Sequence, residues 1–196
     1  MKNLSSKQVK KILILVLFLV VIIGVLIYGN HRKNNSHSLS KNDQLFVRFE
    51  SSDIVELKNK LPVSDSLGKK FNGSGTEEGV QGYLEFSISN KGKDKLYYEI
   101  IATKQAIEGK EISDKYVKLY LTNSDNDPLS GYEVNSIPVY YSFSYLSDRT
   151  SSKLLYTGII SGNSYEIIKL HMWLSDNYRV SMVPESFKID IDVRAK

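Results

Sequence analysis

Two hydrophobic patterns divide this chain. The first is an unbroken apolar run from Ile12 to Tyr28, 17 residues without a charged or strongly polar side chain. The second is an alternation of period two that recurs through the remainder. Near the C-terminus, "SFKIDIDVRAK" places Phe187, Ile189, Ile191, Val193 and Ala195 on one face and Lys188, Asp190, Asp192 and Arg194 on the other. Successive side chains of a strand point to opposite sides, so this pattern predicts a half-buried strand. "GYLEFSISN" groups Leu84, Phe86 and Ile88, "KYVKLYLT" groups Val117, Leu119 and Leu121, and "YEIIKLHMWLSD" groups Ile168, Leu170, Met172 and Leu174. "QLFVRFE", "KLYYEIIATK", "VYYSFSYL" and "KLLYTGII" add weaker or fully apolar strands. The turn-forming stretches "NGSG", "SNKGKDK", "NSDNDPLSG", "SGNS" and "SDN" separate them. "SNKGKDK", lying between two alternating runs, predicts a hairpin. "DIVELKNKL" and "EGKEISDK" predict single helical turns. Roughly eight short strands, with no helical period long enough for a parallel crossover, predict an all-β fold: an antiparallel β-sandwich, Ig-like or jelly-roll.

The apolar run decides where such a domain would sit. At about 1.5 Å per helical residue it reaches roughly 25 Å, the short end of a bilayer span. It exceeds the apolar core of about 7–15 residues usual in a secretory signal. A cut after Gly29 would place the bulky Ile27 where a small residue is needed, so a retained anchor is favoured over a cleaved signal. Lys2, Lys7, Lys10 and Lys11 precede the run and only Arg32 and Lys33 closely follow it. That excess places the N-terminus in the cytoplasm and the body outside. The expected organisation is a cytoplasmic tail (1–11), a transmembrane signal-anchor (12–28), a flexible polar tether (29–43) carrying His31 and His37, and an extracytoplasmic domain (44–196). A body of about 150 residues suits one domain.

Charge narrows the partners. The chain carries a formal +4, but all 22 acidic residues lie after Tyr28. Of the 26 basic residues, four are the N-terminal lysines, which leaves 22 and a neutral body. Phosphate binding needs clustered positive charge, so no nucleic-acid partner is expected. There is no Cys, which excludes disulfides and a lipid-modified cysteine anchor. The excess of Lys over Arg, with abundant Asn, Ile and Tyr, is the bias of an AT-rich bacterial genome.

Little in the body points to catalysis. It holds one histidine, His171, and shows no G-x-S-x-G or HExxH arrangement. No glycine pattern sits between a strand and a long helix, and no cofactor is expected. Asp125 and Asp127 in "NSDNDP" are weak calcium candidates; an Asx-rich turn is the competing explanation. In "LHMWLSDNY", His171 and Trp173 alternate away from the apolar face. An outward Trp beside a His would serve binding, unless a loop or the tether covers that face, and covering is favoured. Tyr140, Tyr141 and Tyr145 in "VYYSFSY" could stack on sugar rings, against ordinary sheet packing as the plainer account.

Taken in order, "PVSDSLGKK", "GYLEFSISN", "KYVKLYLTNSDNDPLSGY", "KLLYTG" and "LHMWLSDN" resemble uncharacterised single-pass surface β-sandwich proteins of low-GC Gram-positive bacteria, over about Gln44 to Lys196. More remotely, an N-terminal apolar segment followed by a body with "FSISNKG" and "WLSD" is similar to the TasA and camelysin group. That likeness implies exported, fibre-forming or matrix proteins, with protease activity attributed to some; no protease residue is carried over, because no metal-ligand motif accompanies it. The expected function is a non-catalytic cell-surface interaction or structural module. A carbohydrate-binding module of the cell envelope is the alternative, and a camelysin-like exported hydrolase a more distant one. Expected partners are membrane lipid through residues 12–28, an envelope protein or glycan, and a second copy of the chain.

Overall fold

The computed structural model describes residues 41–72 and 82–196. The expected tail, span and most of the tether lie outside the described residues. Among those described, no helix is long and apolar enough to cross a membrane.

The body is all-β and almost wholly antiparallel. One sheet orders β1 (Leu45–Phe49), β3 (Gly82–Asn90), β12 (Ser164–Leu174), β6 (Val117–Thr122) and β9 (Tyr141–Ser142). The other orders β10 (Ser147–Arg149), β11 (Ser152–Ile160), β4 (Leu96–Lys104), β13 (Glu185–Ala195) and β2 (Ile54–Lys58). A two-residue strand, β5 (Lys110–Glu111), adds a parallel pairing on β13. β7 (Glu133–Val134) and β8 (Ile137–Pro138) form a separate ribbon. Its turn residues Asn135 and Ser136 both take positive φ, as a type I′ turn requires.

The alternation read from the sequence sets the buried faces. Leu84, Phe86 and Ile88 of β3, with Ile168, Leu170 and Met172 of β12, share one hydrophobic cluster with Tyr98 and Ile100 of β4 and Phe187, Ile189 and Ile191 of β13. The cluster thus draws on both sheets. A polar link also joins the sheets: the Tyr98 hydroxyl donates to Glu166 Oε2 at 2.9 Å. Burial, then the neighbouring Glu166 carboxylate, raises the pKa of that phenol well above its ordinary range.

Several expectations are corrected. "SNKGKDK" is not a hairpin: β3 and β4 lie in different sheets, so residues 91–95 arch from one to the other. "SGNS" does the same between β11 and β12. Buried Asn90 ties the two arches together. Its amide donates to the carbonyls of Asp94 at 2.8 Å and Ser161 at 3.2 Å, and its oxygen accepts from the Gly92 amide at 2.8 Å. The Asn163 amide in turn donates to Gly92 O at 2.8 Å. "DIVELKNKL" is strand β2, because Val55 and Leu57 point into the core while Ile54, Glu56 and Lys58 point out. "EGKEISDK" contains β5, followed by a 3₁₀ turn at Asp114–Tyr116. "VYYSFSYL" is strand only at Tyr141–Ser142 and then a 3₁₀ turn, Phe143–Tyr145, which drives Phe143 against Phe187 with ring centres 5.2 Å apart.

Candidate functional site

The residues singled out in the sequence separate into two groups, one covered and one open. His171 and Trp173 do alternate away from the core on β12, opposite Tyr120 and Lys118 of β6. Their face is not open to water: Trp173 is 0% exposed and His171 3%. The segment from Val63 to Phe71 lies over them. Val63 bridges to Ser175, and a helical turn at Asp65–Gly68 seats its backbone against the indole. A Cβ added at Gly68 would come within 2.3 Å of the Trp173 ring, so glycine permits this approach. Asp65 pins the segment, accepting from the indole Nε1 at 3.1 Å and from Lys118 Nζ at 2.8 Å on each carboxylate oxygen.

Under this strap the rings interlock. Tyr140 meets Trp173 and Tyr120 edge-on, with centres 5.4 and 5.0 Å apart, and Tyr83 meets His171 at 5.4 Å. The His171 Nδ1–H donates to the Phe71 carbonyl at 2.7 Å, which fixes the neutral tautomer and leaves Nε2 without a partner. Burial above all, with the nearby Lys169 charge, lowers the pKa of this imidazole to about 4, against the opposing pull of the Phe71 carbonyl. Trp173, His171 and Tyr140 are therefore an aromatic layer that attaches a strap to a sheet. Stacking a ligand on Trp173 would require lifting that strap.

Tyr141 and Tyr145 belong to a different place. Together with Tyr132 and Tyr156 they line a cleft of about 320 Å³ beside β11. Tyr132 is buried and donates from its hydroxyl to Leu155 O at 3.0 Å, which fixes one wall. Tyr141 donates to Gly131 O at 2.8 Å and packs edge-on against Tyr132 at 5.3 Å. Tyr145, 82% exposed at the end of its 3₁₀ turn, stands free at the rim. Ser130, Ser147 and Thr157 supply hydroxyls, and no lining side chain carries a charge. Such a surface can stack on and hydrogen-bond a neutral polyhydroxylated ligand; its lining contains no carboxylate, imidazole or amine for general acid or base work. The sequence reading missed Tyr132 and Tyr156. They sit in "SGYEV" and "LLYTG", far apart in the chain, and nothing local marks them as neighbours.

Asp125 and Asp127 form an Asx turn. Asn123 Oδ1 accepts from both of their backbone amides at 2.9 Å. Lys169 Nζ donates to Ser124 O at 2.6 Å and Asn126 Oδ1 at 2.9 Å, placing an ammonium where a cation would have to bind. No grouping of three or more His, Asp and Glu side chains fit for a metal occurs among the described residues.

Comparisons with protein-family models, with curated proteins and with solved structures give no match for this chain.

Proposed function

We propose that this chain is a non-catalytic binding module displayed at the outer face of a cell membrane. In this reading residues 12–28 span the bilayer, 29–43 form a tether, and 44–196 fold as a β-sandwich that engages an envelope partner. The sandwich assignment is supported by the core cluster shared between two antiparallel sheets. The single observation that carries the function is the open, uncharged cleft of Tyr132, Tyr141, Tyr145 and Tyr156. Its aromatic faces and hydroxyls favour one specific version, a carbohydrate-binding module for neutral envelope glycans. The hydrolase alternative rests on a pair of carboxylates at the ligand, and the lining of this cleft holds none.

Calorimetric titration of the full-length chain with a panel of cell-wall and capsular oligosaccharides tests the glycan version. At least one oligosaccharide should bind, and Tyr145→Ala should weaken it tenfold or more. The same substitution should shift stability by less than about 0.5 kcal/mol, since the ring is exposed and unpartnered. A panel without heat of binding, or affinity indifferent to Tyr145, would remove the cleft as the site.

A further inference from the structure

A trough of about 540 Å³ lies on the opposite, strap-free half of the β12 sheet's outer face. Register sets its rows. Arg48, Ser87 and Ile167 stand side by side on β1, β3 and β12; on one side come Glu85, paired in register with Lys169, and Glu50, its amide bonded to Glu85 O; on the other comes Tyr165, whose row continues through Ser89 to Phe46 beyond the trough's own lining. Small serines on the middle strand make the floor, and larger side chains on the flanking strands make the walls. Strand spacing puts those walls roughly 10 Å apart, and same-face rows about 7 Å apart along the strand.

The chemistry of this face is unusual for a solvated sheet. Phe46 is 51% and Tyr165 71% exposed, beside the apolar Ile167. Arg48, Glu50 and Glu85 form no ion pair with one another or with any described residue. Lys169, which could neutralise Glu85, is held away by Ser124 and Asn126. Glu85 accepts one hydrogen bond, from the Tyr83 hydroxyl at 2.7 Å. Two carboxylates on facing strands therefore stand next to an unpaired guanidinium. A neutral ligand covering these three charges would desolvate them without compensation, whereas one bearing the opposite charges in register would offset that cost.

From this complementarity we propose that the trough binds an extended peptide segment of mixed charge. Its apolar side chain lies between Phe46 and Tyr165, its acidic side chain on Arg48, and its basic side chain over Glu50 and Glu85. An extended peptide repeats its same-side residues at the spacing of the rows, so the recognised pattern is apolar–x–acidic–x–basic, in one of the two chain directions. This site is separate from the tyrosine cleft and does not depend on what that cleft binds.

Fluorescence anisotropy with the full-length chain in detergent and the dye-labelled peptides Phe-Ser-Asp-Ser-Lys and Lys-Ser-Asp-Ser-Phe tests the proposal. One direction should bind with Kd below about 1 mM. Arg48→Glu should weaken it at least tenfold, and replacing the peptide's Asp by Lys should restore most of the loss in that variant. Tyr145→Ala should leave the peptide affinity unchanged, which separates this site from the cleft. Arg48 is exposed, so its variant should keep the wild-type melting curve. Binding by neither peptide, affinity indifferent to Arg48→Glu, or displacement of the peptide by neutral oligosaccharides would overturn it.

Discussion

His171 shows how little a residue's type says about its work. A lone histidine beside a tryptophan invites a functional reading, yet its neutral ring is part of the packing that holds a strap. This carries a pH signature. The folded-state pKa is near 4 and the ordinary value is about 6.5, so between these values the unfolded chain binds the proton more readily. The stability this residue confers is complete above about pH 6.5 and is lost as pH falls toward 4, by up to about 3 kcal/mol. Urea unfolding across that window should show the loss in the wild type. His171→Gln, which keeps a donor for the Phe71 carbonyl, should lose less; an identical acid slope in the two proteins would contradict the buried-imidazole account. From sequence, the face of His171 and Trp173 was legible because strand alternation fixes it locally. Their exposure was not, because the covering residues lie about 100 positions earlier.

Among elements, the strap and the two arches do what local pattern could not announce. "PVSDSLGK" reads as an ordinary polar connection, but its glycine and aspartate are matched to one indole. Gly68→Ala should cost about 1–3 kcal/mol, because the added methyl meets a ring enclosed on all sides. Thermal unfolding would measure it, and a melting temperature equal to wild type would show that the strap yields freely. The first arch was misread as a hairpin for a plain reason. A short polar loop with glycine joins two strands equally well within one sheet or between two. Which one forms depends on where the inner faces find their partners. Asn90 then fixes the choice, and Asn90→Ala should cost about 2–3 kcal/mol by leaving the carbonyls of Asp94 and Ser161 unserved. Chemical denaturation reads that loss directly. Elsewhere the turn chemistry is orthodox: of the six non-glycine residues at positive φ among the described residues, four, Asn59, Asn126, Asn135 and Asn163, are asparagines, whose short side chains tolerate that backbone.

At the scale of the whole molecule, the two proposed recognition surfaces, one charged and one uncharged, share no lining residue on one neutral body. The proposed anchor would hold that body outside the cell, and the absence of native cysteine makes this easy to check. A single cysteine in place of the exposed Ser151 should react with a membrane-impermeant maleimide in intact cells, with the labelled chain in the membrane fraction. Label appearing only after lysis would place the body on the other side.

The amino-acid order by itself determined most of the strand-forming segments, the all-β class and the inward face of most strands, because each depends on alternation within a few residues. It also determined the neutrality of the body and the long apolar run. Only the tertiary structure decided which strands share a sheet, that Trp173 and His171 are sealed while Tyr145 stays open, and that Tyr132 and Tyr156 join it. Those outcomes depend on contacts between residues far apart in sequence, and such contacts are selected by the packing of the whole core rather than by any local preference of the chain.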